Sequence, residues 1–559
     1  MRGRYNMSLP YANPLPGEPV VRTECLPFTL VPHTTPLFSD LLYDYPKVRR
    51  FYPRSADLRQ WARQESAQLQ YSDGRRKAVA GILERQNQRW GASPQTLQNL
   101  MRLRAGAACV VTGQQVGLFG GPLFAIFKAL GAIRLAAQAT ELGVNCVPVF
   151  WLATEDHDLA EINHTTLLGA DGSLERIATP TQGIADAPVG DIHFGEEIRQ
   201  AVEAAAQVLG DAEVTDLLRR CYQPGETLGG AFARLFTALV GRWGVIMLDA
   251  SDPELHALAQ PIYRAAIERA EELDQALLAR NQELLSSGYH EQVKVTELST
   301  LLFMVENGSR VVIHRGDGVA QPAEFRIGQE KISRQELLQR IDAEPQRFSA
   351  NVLLRPVVQD YLLPTLAYTG GPAECAYFAQ SAVVYEKLLD RVTPVVPRFS
   401  ATLVEPKIAG LLQRYDLQLT DILHGPEHLR ELLGARVLPA DLRAAFDSAS
   451  QSLNTSLERI EASLERLDPT LVDAARNAGS KMRYQLDRLQ GRAARAELLR
   501  SEVLDRHAAL LGNSLFPHKS LQEREIAGVS FLARQGMELL ERLYETASTG
   551  CPDHQVVYL

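Results

Sequence analysis

The sequence predicts an α/β protein, with a parallel-sheet core followed by a long helical hairpin. Two observations carry that expectation. Short apolar runs at 107–111 (AACVV) and 146–152 (CVPVFWL) bracket a segment in which Leu123, Phe124, Phe127, Leu130 and Leu135 fall at helical spacing. Strand, loop, helix, strand is the parallel α/β unit. Farther on, Leu453, Leu457, Ile460, Leu464 and Leu467 recur in steps of four and three, and Met482, Leu486, Leu489, Ala493 and Ala496 repeat the rhythm. That is the seam of a coiled coil.

Taken in order, the first fifty residues are rich in proline and tyrosine and are expected to wrap the surface. Residues 56–104 are mainly helical in pattern. The run 107–111 meets Thr112-Gly113 at once, as a buried strand ending in a turn does. Pro122 suits the first turn of the helix that follows, because its missing N–H would be unsatisfied there anyway. Residues 165–290 mix helices with a strand candidate at 244–248; two more follow at 301–305 and 311–314. A second α/β stretch spans 351–399, with strands at 362–368 and 395–397 around Gly370-Gly371-Pro372 and a helix. From about 405 to 511 glycine becomes sparse. Asp468-Pro469 between the two heptad runs reads as an N-cap with a first-turn proline, so the helices should fold back on each other. The last four residues, 556–559 (VVYL), read as a final strand of the main sheet.

A chain of 559 residues exceeds one ordinary core, so two or three structural units are expected. With 58 basic and 67 acidic residues the net charge is −9, which argues against nucleic acid as a partner. The N-terminus has no apolar core of signal-peptide length. The longest apolar stretch, 123–137, is broken by Lys128 and Arg134, so no membrane span is expected. The six cysteines are scattered without a C-x-x-C pair. They read as reduced cytosolic thiols, with no structural zinc.

Five segments could carry chemistry. TGQQVGLFGGP (112–122) sets Thr112, Gly113, Gln114, Gln115, Gly117, Gly120 and Gly121 between a strand and a helix. Glycines let backbone approach a ligand, and a helix start offers N–H groups to a phosphate or carboxylate. The plainer reading is a tight turn. TEDHD (154–158), continuing to Glu161, Asn163 and His164, follows the second strand, where parallel sheets bind ligands. Glu155, Asp156, His157 and Asp158 could hold substrate or supply a general base. His157, Asp158 and His164 could ligate a metal, and a solvated helix start explains the same acids. In the run 368–377, Gly371, Glu374 and Tyr377 open a helix and could contact substrate. Arg398 and Ser400 in PRFS could clamp an anion or form a structural ion pair. Lys519-Ser520 is similar to the mobile lysine loop of class I aminoacyl-tRNA synthetases.

Together TGQQVGLFGGPL, VPVFWLATEDHD, GGPAECAY, PRFS and LQER resemble, in order and spacing, the cysteine-adding enzyme family of bacillithiol biosynthesis. The resemblance covers nearly the whole chain. It implies a Rossmann-like core similar to class I aminoacyl-tRNA synthetases, connecting-peptide insertions, and a coiled coil associated with dimerisation. On that pattern residues 1–164 hold the N-terminal segment and first half of the core, 165–350 the insertions, and 351–404 the second half. Residues 405–511 form the coiled coil, and 512–559 return to the core. The implied reaction is amide formation between cysteine and the amine of glucosamine–malate in the cytoplasm. Asp156, His157 and Asp158 would handle the amine proton. ATP or another adenine nucleotide would activate the carboxyl at the glycine loop, with Lys519 nearby and no metal beyond magnesium accompanying the nucleotide. Two other functions stay open: a nucleotide-binding, coiled-coil interaction protein, or a nucleotidyltransferase acting on another amine or thiol.

Overall fold

The computed structural model describes residues 22–180, 187–316, 324–500, 502–547 and 550–559. Along the chain the strands are β1 (Arg22–Leu26), β2 (Ala108–Gln114), β3 (Cys146–Leu152), β4 (His164–Leu168), β5 (Leu174–Ala178) and β6 (Ile246–Asp249). There follow β7 (Ser299–Glu306), β8 (Ser309–Arg315), β9 (Glu324–Ile327), β10 (Glu330–Ser333) and β11 (Phe348–Ala350). The last are β12 (Thr365–Gly370), β13 (Val395–Pro397), β14 (Ala401–Val404) and β15 (His554–Tyr558).

β2 and β3 are apolar without alternation and buried along almost their whole length, the signature of strands covered on both faces. They lie in a five-stranded parallel sheet of order β13-β12-β2-β3-β6. Cys109 and Val111 of β2 share a core with Cys375 and Ala379 of helix Pro372–Leu389. Ala108 and Val110 point the other way, onto Ala132 and Ala136 of helix Phe124–Glu141. From β2 the chain crosses through helix Phe124–Glu141 to β3. From β12 it crosses through helix Pro372–Leu389 to β13, on the opposite side. The strand order therefore reverses between β2 and β12, and such a reversal opens a crevice at the carboxyl ends of the strands.

A second, antiparallel sheet of order β10-β9-β8-β7-β11 stands beside that crevice. β7 and β8 are the two strands expected at 301–305 and 311–314. They are joined through Asn307 and Gly308, both at positive φ (49° and 84°), the conformation of a tight hairpin turn.

Three expectations need correction. The C-terminal run does not join the main sheet: β15 pairs antiparallel with β1 and parallel with β14 in a separate three-stranded sheet. A short apolar run specifies burial, not partner. The described part of the first fifty residues does not wrap the surface, since Phe28, Leu37, Phe38, Leu41 and Val48 are buried in the main core. Nor are all six cysteines free. Cys25 on β1 is joined to Cys551, just ahead of β15, while Cys109, Cys146, Cys221 and Cys375 are buried thiols. That pair is 526 residues apart in sequence and meets only because β1 and β15 pair.

The helical hairpin forms as the sequence predicts. Helices Ala440–Leu467 and Val472–Arg500 are linked through Asp468, whose side chain accepts the Thr470 N–H at 2.9 Å. Leu457 is buried between them, and a Cβ on Gly479 would lie 3.0 Å from it. Leu453, Leu464, Leu486 and Ala493 are half-buried, and part of the seam is open: Ile460, Leu467, Met482 and Leu489 are 49%, 76%, 51% and 56% exposed. Among the described residues no helix is long and apolar enough to cross a membrane.

Candidate active site

A cavity of 680 Å³ occupies the crevice where the strand order reverses. Its floor is the carboxyl end of β2 (Gly113, Gln114), of β3 (Trp151) and of β12 (Tyr368). Gly113 is needed there, because a Cβ would lie 3.1 Å from the Trp151 carbonyl oxygen. Phe303 and Arg310 of the antiparallel sheet and the segment 350–355 close one side, and Arg398 and Arg524 line another.

Lys128 and Glu374 lock the two crossover helices together across the crevice. Lys128 Nζ lies 2.7 Å from Glu374 Oε2 and donates to the Gly113 carbonyl and to Gln114 Oε1, each at 2.8 Å. Glu374 also accepts the Gly371 N–H at 2.7 Å and the Tyr368 hydroxyl. Burial alone would raise this carboxyl, but the Lys128 ammonium and these donors hold it below the usual carboxylate range. Gly371, Glu374 and Tyr377 line the cavity as the sequence predicts, yet Glu374 is saturated and acts as a brace. Beside it Arg355 lies 5.3 Å over the Tyr368 ring, with Nη2 3.3 Å from the Tyr377 hydroxyl and Nη1 3.0 Å from Gln359 Oε1.

The segment after β3 supplies the acidic wall. Asp156 accepts from Gln115 Nε2 and from the His157 N–H, both at 2.8 Å. Arg310 reaches over from β8: Nη1 is 3.9 Å from Asp156 Oδ1 and 3.3 Å from His157 Nδ1, and Nη2 donates to the Ala350 carbonyl at 2.7 Å. The guanidinium lies 3.9 Å over the Phe303 ring, which fixes its plane. Glu155 is largely enclosed in the same wall, its side chain 12% exposed, and burial raises its carboxyl to about 7, partly opposed by Arg310 and Arg355. Behind it His256 Nε2 is 3.6 Å from Glu155 Oε1, and burial lowers that imidazole to about 4.

Several predicted site residues lie elsewhere. Thr112 donates to the Thr369 carbonyl at 2.9 Å and staples β2 to β12. Gly117, Gly120 and Gly121 form a turn packed on helix Leu228–Val240, where a Cβ on Gly120 (φ +88°) would meet Leu235 at 3.2 Å. The turn's amides are committed: Gly117 N–H to Gln115 O, Gly121 N–H to Leu118 O, Leu123 N–H to Ile526 O. Gly120 N–H serves both Gly117 O and the Tyr222 hydroxyl. These four amides are therefore not free to cradle a phosphate. Of that run only Gly113, Gln114 and Gln115 reach the cavity. Asp158 caps a short helix through the Glu161 N–H at 3.2 Å. Asn163 and His164 bond each other at the start of the β4–β5 hairpin. Ser400 is buried against Glu523 and His554, and Lys519 pairs with Glu427 at 3.4 Å on the surface. Among the described residues His157, Asp158 and His164 do not converge, and no group of three His, Cys, Asp or Glu could hold a metal.

Sequence reasoning missed Lys128, Arg310, Arg355 and Arg524. Lys128 does leave a signal, a cation on the buried side of an apolar helix, but in the sequence it reads only as an interruption of the apolar stretch.

Comparison with known proteins places this site in a family. Residues 21–399 match the model described as "Bacillithiol biosynthesis BshC, N-terminal Rossmann-like domain", and residues 401–559 match "Bacillithiol biosynthesis BshC, C-terminal coiled-coil domain". A protein of Koribacter versatilis named "Putative cysteine ligase BshC" is 49% identical over 534 residues, covering 96% of this chain and 99% of that one. Proteins of the same name from Solibacter usitatus and Salinibacter ruber are 35% and 33% identical, covering 95% and 93% of this chain and 99% and 96% of their own. These names denote ligases, which favours a catalytic cavity over a scaffold. With both halves matched and relatives aligned end to end, the chain belongs to the BshC family of bacillithiol biosynthesis.

Proposed function

We propose that this ligase joins the carboxyl of cysteine to the amine of glucosamine–malate, the last step of bacillithiol biosynthesis, in the cytoplasm. The observation that carries the reading is the opposition of charge within one cavity. Glu155 and Asp156 form an acidic wall suited to an amine, while Arg310, Arg355 and Arg524 offer donors to carboxylates. Phe124, Trp151 and Tyr368 supply apolar faces for a sugar ring. Malate and cysteine both carry carboxylates, and the sugar carries the amine. A free carboxylate is a poor acyl donor and needs activation. The part of this chain's cavity residues is to bind, orient and move a proton.

The test is an assay of the full chain with cysteine, ATP and either glucosamine–malate or glucosamine, read by mass spectrometry. The cysteinyl amide should form readily only with the malate conjugate. No amide with any amine acceptor would overturn the reading.

We also infer a homodimer joined through residues 440–505, because the open half of the seam is apolar and needs a covering surface. Light scattering on the double variant Ile460→Asp, Met482→Asp should then report a monomer. An unchanged dimer would count against this interface.

A further inference from the structure

We propose that Glu155 is the base that removes the proton from the acceptor's ammonium group, leaving the nitrogen lone pair free to attack the cysteine carboxyl. This rests on the amide-forming reading above. In the step, one N–H bond breaks and one O–H bond forms on the Glu155 carboxylate. The proton is the only thing transferred in this step; the C–N bond formed next displaces the leaving group of a cysteine carboxyl already activated by a nucleoside triphosphate.

The argument begins with what the other candidate bases are already doing. Asp156 accepts from Gln115 and from the His157 N–H. Glu374 is filled by Lys128, Tyr368 and the Gly371 N–H. Asp158 caps a helix. His157 presents Nδ1 to Arg310 at 3.3 Å, and a guanidinium has only donors. That contact engages the Nδ1 lone pair with Arg310, so this nitrogen is not free for an incoming proton. Glu155 differs from all of them. It lines the cavity, and among the described residues no hydrogen bond to its carboxylate is found.

The surroundings suit the task. The groups that face Glu155 are Arg310 from β8, Arg355 from helix Arg355–Leu362, Asp249 from β6, its neighbour Asp156, and His256 and Tyr263 from helix Pro253–Glu268. Asp249 is occupied by Thr154 and Ser251. Burial keeps His256 neutral near pH 7, so it is no counter-ion for Glu155. Burial also lifts the Glu155 carboxyl to about 7, against the pull of the two arginines. A base poised near the working pH combines a useful deprotonated fraction with enough basicity.

The test compares Glu155→Gln, His157→Ala and the wild type in steady-state amide formation across pH, with melting temperatures measured in parallel. Glu155→Gln should keep its melting temperature and its KM for glucosamine–malate within a few-fold. Its kcat should fall by about 10²–10⁴-fold. The wild-type fall in kcat below pH 7, which His157→Ala should retain, should vanish in Glu155→Gln. If Glu155→Gln folds poorly, Glu155→Asp keeps the carboxylate and should show a reduced kcat with the limb intact. A folded Glu155→Gln with wild-type kcat and the same limb overturns the assignment alone. Likewise Glu155→Asp without the limb overturns it. A wild type that makes no amide overturns the ligase reading, and this assignment with it.

Discussion

Two networks of arginine and carboxylate flank the cavity, and they end differently. In one, Arg398 holds Glu523 through two bonds, Nη1 to Oε2 at 3.1 Å and Nη2 to Oε1 at 2.5 Å. Glu523 also takes the Ser400 hydroxyl at 3.0 Å and the Ala401 N–H at 3.1 Å, and His554 sits between Ser400 and Thr402 at 2.8 Å from each. Nearly all its bonding capacity is used inside the protein. In the other, Arg310, Arg355, Glu155 and Asp156 line open space, and among the described residues no hydrogen bond to the Glu155 carboxylate is found. The same residue types thus make a joint in one place and a site in the other. What separates them is whether the partners were supplied by the chain.

If the first network is a joint, breaking it should cost stability. Burial would raise Glu523, but Arg398 holds it below the usual carboxylate range, so it is ionised in the fold. Glu523→Ala leaves Arg398 buried without its counter-charge, and chemical denaturation should show a loss of about 3–5 kcal/mol. An unchanged midpoint would mean that the joint bears no weight.

His554 sharpens the same contrast through pH. Burial lowers its imidazole from 6.5 to about 4 in the fold. Between those values the unfolded chain binds a proton that the fold refuses, so stability rises with pH across this window and is lost on acidification. The loss by pH 4 is about 3 kcal/mol. Comparing denaturation of wild type and His554→Gln at pH 7 and pH 4.5 checks this, and the variant's acid-induced loss should be smaller.

Arg524 gives the smallest and most selective effect. It lines the cavity, and no ion pair to it is found among the described residues. Arg524→Met should leave the melting temperature alone and raise KM for glucosamine–malate by about 10–100-fold, the worth of a charge-assisted hydrogen bond of about 1.5–3 kcal/mol. A stability loss without a KM change would move Arg524 to the structural side of the comparison.

The comparison also explains what could be read from the sequence. The parallel sheet was legible because unbroken apolar runs such as 146–152 must be covered on both faces. The heptad hairpin was legible because period and cap agree. TEDHD was correctly placed after a strand, but which of its side chains turn inward depends on a turn that no spacing encodes. So Glu155 faces the cavity, while Asp158 caps a helix. PRFS allowed both a clamp and an ion pair, and the partner that decides it, Glu523, lies 125 residues downstream. The glycine run shows where backbone can bend, but not which of its amides are already bonded, as those of Gly117, Gly120 and Gly121 are. The three-stranded sheet was illegible because β1 and β15 come from opposite ends of the chain.

A crystal structure of the protein soaked with glucosamine–malate tests the central claim most directly. The account predicts the ligand in the crevice between β2 and β12, with its amine within hydrogen-bond reach of Glu155 and its malate carboxylates on cavity arginines. A ligand seated instead on the Gly117–Gly121 turn, or anywhere that leaves Glu155 and Arg355 untouched, would contradict it.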